Sequence, residues 1–240
     1  MTSISIITPC YNAGSLIAEL ADNLREQSCQ DFEWLICDDG SDPETLEVLE
    51  QIEQRPDIDV RVFRGSHRGG NFNRNLGFNA SVSGLVKFVD ADDLLGERLL
   101  EYQLEVALAN KDAVVVSPTA ALREDGSVMH QLIGSSYAKD PLEQYLKSPG
   151  FLHGGCLIPR HMVDQIGAWD ESLRYAQDLD FFRRLFLIAA PKVIVENRAE
   201  FFYRHHNRAP RLSNNHSRQA SKYQDQMQAC LLYTSDAADE

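Results

Sequence analysis

No apolar run in this 240-residue chain approaches the 18 residues needed to cross a bilayer, and no basic stretch with a long apolar segment leads into Ile4. Neither a secretory leader nor an integral membrane segment is expected. Cationic side chains are scarce: 23 Lys and Arg stand against 36 Asp and Glu, a formal charge of −13. That balance argues against non-specific nucleic-acid binding and against attraction to an anionic membrane surface. A phosphorylated ligand would need local Arg, His or a metal ion to offset the field. The five cysteines (10, 29, 37, 156 and 230) include no Cys-x-x-Cys pair and no even framework, which fits a reducing cytoplasm. Linkers, repeats and low-complexity tracts are missing as well, and 43% hydrophobic residues allow a substantial core.

What is present is a regular alternation. Ser3–Thr8, Phe32–Cys37, Val60–Phe63, Leu85–Val89 and Ala113–Ser117 are short β-branched or apolar runs that read as strands. Between them, Gly14–Gln27, Pro43–Gln54, Asn71–Val82 and Glu97–Asn110 carry apolar residues at helical spacing, with Pro43 suited to a first turn. This order predicts an α/β fold with a doubly wound, largely parallel central sheet. The second half is less regular. It reads as extra mixed strands (Ala120–Leu122, Val128–Leu132, Cys156–Ile158, Lys192–Glu196, Glu200–Arg204) and helices near Pro141–Lys147, Arg160–Ile166 and Asp178–Ile188.

The strand at Val86–Val89 ends in three carboxylates within four residues, Asp90, Asp92 and Asp93. Two carboxylates about 4 Å apart repel by about 4 kcal/mol at an effective dielectric near 20. A divalent cation or a protonated partner is the usual compensation. Asp38-Asp39 ends a second strand and Thr8-Pro9-Cys10-Tyr11-Asn12 ends a third. In a parallel sheet all three tips open on one edge, where ligands bind.

Together ITPCYN, CDDGSDPET, the Arg74-Asn75 pair, VDADD and QDLDFF resemble, in order and spacing, the inverting GT-A glycosyltransferases of family 2, over roughly residues 3–213. The resemblance implies a GT-A fold at 1–229 and transfer of a sugar from a nucleotide-diphosphate donor, a UDP-sugar, to a hydroxyl of a glycan or glycolipid acceptor. It implies that Asp39 accepts a hydrogen bond from the nucleobase, that Asp38 braces the turn, and that Tyr11 stacks beside the base in a pocket shaped by Thr8 and Pro9. Asp90 and Asp92 would hold ribose and Mn²⁺ or Mg²⁺, hard oxygen ligands favouring these ions over Zn²⁺. Asp93 stands either in that cluster or as a cap of the next helix. Asp178 would be the general base, with Gln177 where relatives usually have Glu. Arg74 is expected to pair with phosphate or with the Asp cluster. His205 or His206 would ligate metal or bind phosphate, with Arg211 close by, and Arg68 is a further donor-pocket candidate. The His153-Gly154-Gly155-Cys156 stretch would floor the acceptor cleft, Gly155 permitting close backbone approach. Trp169 reads as core or as a sugar platform. The same resemblance implies surface polysaccharide or glycolipid assembly at the inner face of the cell membrane, with no nucleic-acid partner.

Two other classes stay in view. A DxD phosphohydrolase would use the first Asp as nucleophile and need a downstream Lys; Lys87 instead precedes the cluster. A non-catalytic sugar-nucleotide-binding module is the other, with Gln177 in its favour. Residues 230–240 (CLLYTSDAADE) back-translate onto the codons of a transposase mosaic-end sequencing adapter. The expectation is that native sequence stops near Ala229, short of the true C-terminus.

Overall fold

A computed structural model describes residues 3–123, 127–133, 152–174, 176–198 and 200–204. The expected helix near 141–147, His205, His206, Arg211 and the segment 230–240 lie outside the described residues. The first half follows the alternation: β1 (Ile4–Cys10), α1 (Ser15–Arg25), β2 (Phe32–Asp38), α2 (Pro43–Glu53), β3 (Val60–Arg64), α3 (Gly70–Ala80) and β4 (Leu85–Phe88). Next come β5 (Leu94–Leu95), α4 (Leu99–Ala109), β6 (Ala113–Val116), β7 (Thr119–Leu122) and β8 (Val128–Ile133). After a 3-10 turn at His153–Gly155 the chain forms β9 (Cys156–Pro159), α5 (Arg160–Ile166), α6 (Gln177–Arg184), β10 (Lys192–Val195) and β11 (Phe201–Arg204). The helix expected to reach Ile188 loses its α-helical pattern at Arg184. Leu185–Ala189 form a π-helical turn that stops at Ala190, whose φ is +44°.

Seven strands form one sheet in the order β10-β6-β9-β4-β1-β2-β3, with β9 antiparallel to both neighbours and the other pairs parallel. Alternate residues face opposite layers, as the period of a strand dictates. Ile4, Ile6, Trp34 and Ile36 pack with Leu20, Leu24, Leu49 and Leu100 of α1, α2 and α4. Ile7, Leu35 and Phe88 pack with Phe78, Met162 and Phe181 of α3, α5 and α6. Gly77 lets α3 lie this close, because a Cβ there would stand 2.5 Å from Ile7. A second sheet, β5-β11-β7-β8, abuts the first.

The chain winds from β1 outward to β3, then returns to place β4 on the other side of β1. Such a reversal opens a crevice at the carboxyl ends of the two central strands. The loops after β1, β2 and β4 therefore meet at one place.

Gly154 and Gly155 join the two sheets. A Cβ on Gly154 would lie 2.2 Å from the Phe201 ring, and one on Gly155 would meet the Ser117 carbonyl at 3.0 Å. The close approach that these glycines permit in this structure is to β11 and the end of β6. Gly154→Ala should destabilise the protein by about 1–3 kcal/mol through overpacking, read as a lower urea midpoint with unchanged slope. An unchanged midpoint would mean that the junction relaxes freely.

Candidate functional site

The β1 and β2 loops lock together before any ligand is considered. Asn12 donates its backbone N–H to Ser41 Oγ (2.9 Å) and its side-chain oxygen accepts from Asp42 N–H (2.8 Å). Asp38 accepts from the Gly40 and Ser41 amides, the turn-bracing geometry expected of it. Asp42 caps α2 by accepting from Thr45 N–H at 2.8 Å, with Pro43 in the first turn. Thr8, expected in the pocket wall, is fully buried, and its hydroxyl accepts from Trp34 Nε1 at 3.0 Å. It supports the core instead. Pro9 is partly buried at the strand end.

Asp39 is buried, and its carboxylate accepts from Arg68 N–H (2.7 Å), Gly69 N–H (3.0 Å) and Asn73 Nδ2 (2.7 Å). His67 Nδ1 lies 3.1 Å from the same group. The carboxylate thus organises the loop before α3, a role the sequence did not reveal. Tyr11 is 51% exposed at the rim, its ring 4.5 Å from that of His67. Arg68 contributes its backbone here, while its guanidinium lies over the Phe72 ring at 3.6 Å.

Past β4, one carboxylate oxygen from each of Asp90, Asp92 and Asp93 falls within 4.8 Å of the others. The three are held differently. Asp90 pairs with Arg74 Nη2 at 2.7 Å and lies 3.2 Å from His153 Nε2. Burial works against its charge, but His153 and Arg74 hold the carboxyl far below its ordinary range. Asp93 is buried and accepts from Arg204 N–H at 3.0 Å; burial, then the Asp92 and Asp90 charges, push its carboxyl well above the usual range. It does not cap α4, because β5 intervenes and α4 opens at Arg98 without a side-chain cap. Arg204 also donates to the Asp92 carbonyl (2.9 Å) and pairs with Glu19 (2.7 Å), which fastens the acidic loop to β11 and α1. A small hard divalent ion suits this donor set. Three carboxylate oxygens are gathered closely enough to share it, and such an ion would relieve the Asp92 and Asp90 repulsion that adds to burial in raising the Asp93 carboxyl.

Arg74 pairs with the Asp cluster, one of its two expected partners. Its guanidinium is buried between Asp90, the Gln177 side-chain oxygen (3.4 Å) and the Trp169 ring (4.7 Å). Trp169 is core: buried, stacked on Phe181 at 4.3 Å and edge-on to Phe88. Gln177 also donates to the Leu173 and Arg174 carbonyls, tying α6 to the preceding loop. Asp178 occupies the first turn of α6, which begins after Ala176, so it is not the cap residue. Its side chain is 41% exposed, and Oδ1 lies 3.2 Å from His153 Nδ1. Burial would raise its carboxyl, but His153 outweighs that and the net shift is downward.

Sequence reasoning placed His153 only in the stretch flooring the acceptor cleft and gave its imidazole no role of its own. His153 is only 5% exposed, with Asp90 at one ring nitrogen and Asp178 at the other. Burial opposes the imidazolium, yet the two carboxylates raise the group to about 10. The one available signal was its place immediately before the Gly154-Gly155 pair.

Comparison with known proteins agrees with this architecture. The profile described as Glycosyl transferase family 2 matches residues 5–167. The putative glycosyltransferase EpsH of Bacillus subtilis is 26% identical over 146 residues, 61% of this chain and 42% of that protein. The putative teichuronic acid biosynthesis glycosyltransferase TuaG of the same organism is 30% identical over 133 residues, 54% of this chain and 52% of its own. This chain thus spans about half the length of these relatives. Among solved structures, S. aureus TarS 1-349 in complex with UDP-GlcNAc superposes with a TM-score of 0.74 at 18% identity, covering 88% of this chain and 61% of that one. Mannosyltransferase PcManGT from Pyrobaculum calidifontis, in complex with GDP-Man and Mn2+, gives 0.64 at 18% identity, covering 86% and 58%. The fold is of the GT-A type. No helix among the described residues is long and apolar enough to cross a membrane.

Proposed function

Because the chain belongs to glycosyltransferase family 2, we propose that it transfers a sugar from a nucleotide-diphosphate donor, a UDP-sugar, to a hydroxyl of a glycan or glycolipid acceptor. The observation that carries this reading is convergence. Tyr11 and Asp39, the Asp90-Asp92-Asp93 cluster and Asp178 all border one crevice at the carboxyl ends of β1, β2 and β4.

The nucleobase stacks on Tyr11, beside the loop that Asp39 holds in place. Asp92 and Asp93, with Asp90, are the residues that would hold Mn²⁺ or Mg²⁺, which when bound would supply positive charge against the departing diphosphate. Arg74 keeps Asp90 ionised and turned towards the cluster. Asp178, ionised at neutral pH, accepts the proton of the acceptor hydroxyl as its oxygen forms the new bond to the anomeric carbon. The bond from that carbon to the phosphate oxygen breaks with the electron pair leaving on the diphosphate. Attack from the opposite face inverts the centre in a single displacement. As a phosphohydrolase nucleophile Asp90 would be poorly placed, being paired with Arg74 and His153, and Lys87 is buried away from the crevice. Teichuronic acid assembly, named for TuaG, supports surface polysaccharide or glycolipid synthesis at the cytoplasmic face of the membrane as the setting.

The test is a donor screen with Mn²⁺, by thermal shift and then turnover. A UDP-sugar should raise the melting temperature, since a ligand that binds only the folded state stabilises it. NMR should find the product anomer opposite to the donor's, and EDTA should abolish transfer. A product of retained configuration overturns the displacement. Binding without transfer to any hydroxyl acceptor points to the non-catalytic module.

A further inference from the structure

The His153 side chain touches both the donor-site acid and the candidate base. Its 3-10 turn is fixed from several sides. Gly154 packs under Phe201, Gly155 N–H donates to the Leu152 carbonyl, and the Gly155 carbonyl accepts from Ser117 N–H and Gln103 Nε2. The ring also stands edge-on to Trp169 at 5.8 Å. The imidazole is therefore anchored in the core and not at the surface. Asp90 has a second anchor, the Arg74 ion pair at 2.7 Å. Asp178 is more exposed and begins a helix, where a carboxylate can change rotamer.

We infer that His153 is a positioning residue for the transfer, holding the Asp178 carboxylate in register with the donor site through its contacts to Asp178 and Asp90. The inference rests on the function proposed above. Its physical basis is the steep dependence of bond formation on placement: a displacement of about 1 Å at a reacting group costs on the order of 100-fold in rate. Without His153, Asp90 remains held by Arg74, while Asp178 loses its bridge to that acid. The loss falls on the chemical step and spares donor binding.

Two substitutions separate positioning from mere filling of space. The amide nitrogen of Asn stands near the position of Nδ1, facing Asp178, and that of Gln near Nε2, facing Asp90. His153→Asn should therefore keep kcat within about tenfold of wild type, whereas His153→Gln and His153→Ala should lose on the order of 100-fold. The donor KM, and the calorimetric Kd for UDP with Mn²⁺, should stay within about threefold in all three, because Arg74 still holds Asp90. Melting temperatures measured alongside report any general loosening. If Asn and Gln lose kcat equally, or if losses follow melting temperature instead of the Asn-to-Gln order, the positioning role is overturned while the transferase reading stands. If wild type transfers from no nucleotide sugar, the transferase reading falls and this inference falls with it.

Discussion

Replacing Asp178 by Asn lowers kcat by roughly 10²–10⁴-fold, the range for removal of a general base, and leaves donor binding intact. Asn preserves the size and planarity of the side chain and removes its capacity to take up a proton. Asp178 lies at the crevice with its side chain partly exposed and within 3.2 Å of His153, whose charge keeps the carboxylate ionised. An ionised carboxylate is a modest base, so its contribution comes at the transition state, when the attacking hydroxyl becomes acidic. The loss should accordingly appear in kcat and in kcat/KM alike, with the Kd for UDP and Mn²⁺ unchanged by calorimetry. Full turnover by Asp178→Asn would remove Asp178 from the chemistry. A raised Kd with unchanged kcat would move it to the donor site.

The prediction uses a residue that could be read from sequence, and the reasons for that are local. Asp178 follows a loop and opens an amphipathic helix, and Asp90, Asp92 and Asp93 follow an apolar strand; both patterns are written in consecutive residues. The same holds for β1 to β4, where apolar runs and helical spacing alternate, and for Asp38, whose turn is closed by the amides of Gly40 and Ser41. Contacts between distant segments left no such mark. His153 is far along the chain from both Asp90 and Asp178, and only the antiparallel insertion of β9 between β4 and β6 brings its turn to them. Thr8 matched the expected pocket by position, but the pleat turns it inward to Trp34. Strand β5 is two residues long, too short for any periodicity, yet it stands between Asp93 and the helix that Asp93 would have capped in one of the two readings open for it. The π-helical turn at Leu185–Ala189 keeps a helical apolar pattern while changing the hydrogen bonding, so sequence spacing extended the helix past its α-helical end.

Lys87 makes the second large prediction, one for stability. It is fully buried in β4, and its amine donates to Gln103 Oε1 at 3.0 Å and to the Cys156 carbonyl at 3.4 Å. Both partners are neutral. Burial therefore depresses the amine from 10.5 to about 7. Between those values the unfolded chain holds a proton that the folded chain lacks, so stability rises with pH. The increment is lost progressively as pH falls from 10.5 and is gone below about 7, where the folded state also carries the charge. From pH 6.5 to 9.5 this one group should add about 3 kcal/mol to the unfolding free energy. Lys87→Met fills similar space without ionising and should remove that rise, as read by urea melts of both proteins at the two pH values. At the acid end the variant gains from the missing buried charge. At the alkaline end it loses the neutral amine's hydrogen bonds and leaves Gln103 Oε1 unsatisfied, which costs about 1–3 kcal/mol. The two stability curves should converge and then cross as pH rises. Parallel curves would mean that Lys87 is solvated in the folded protein and that β4 does not shield it from water.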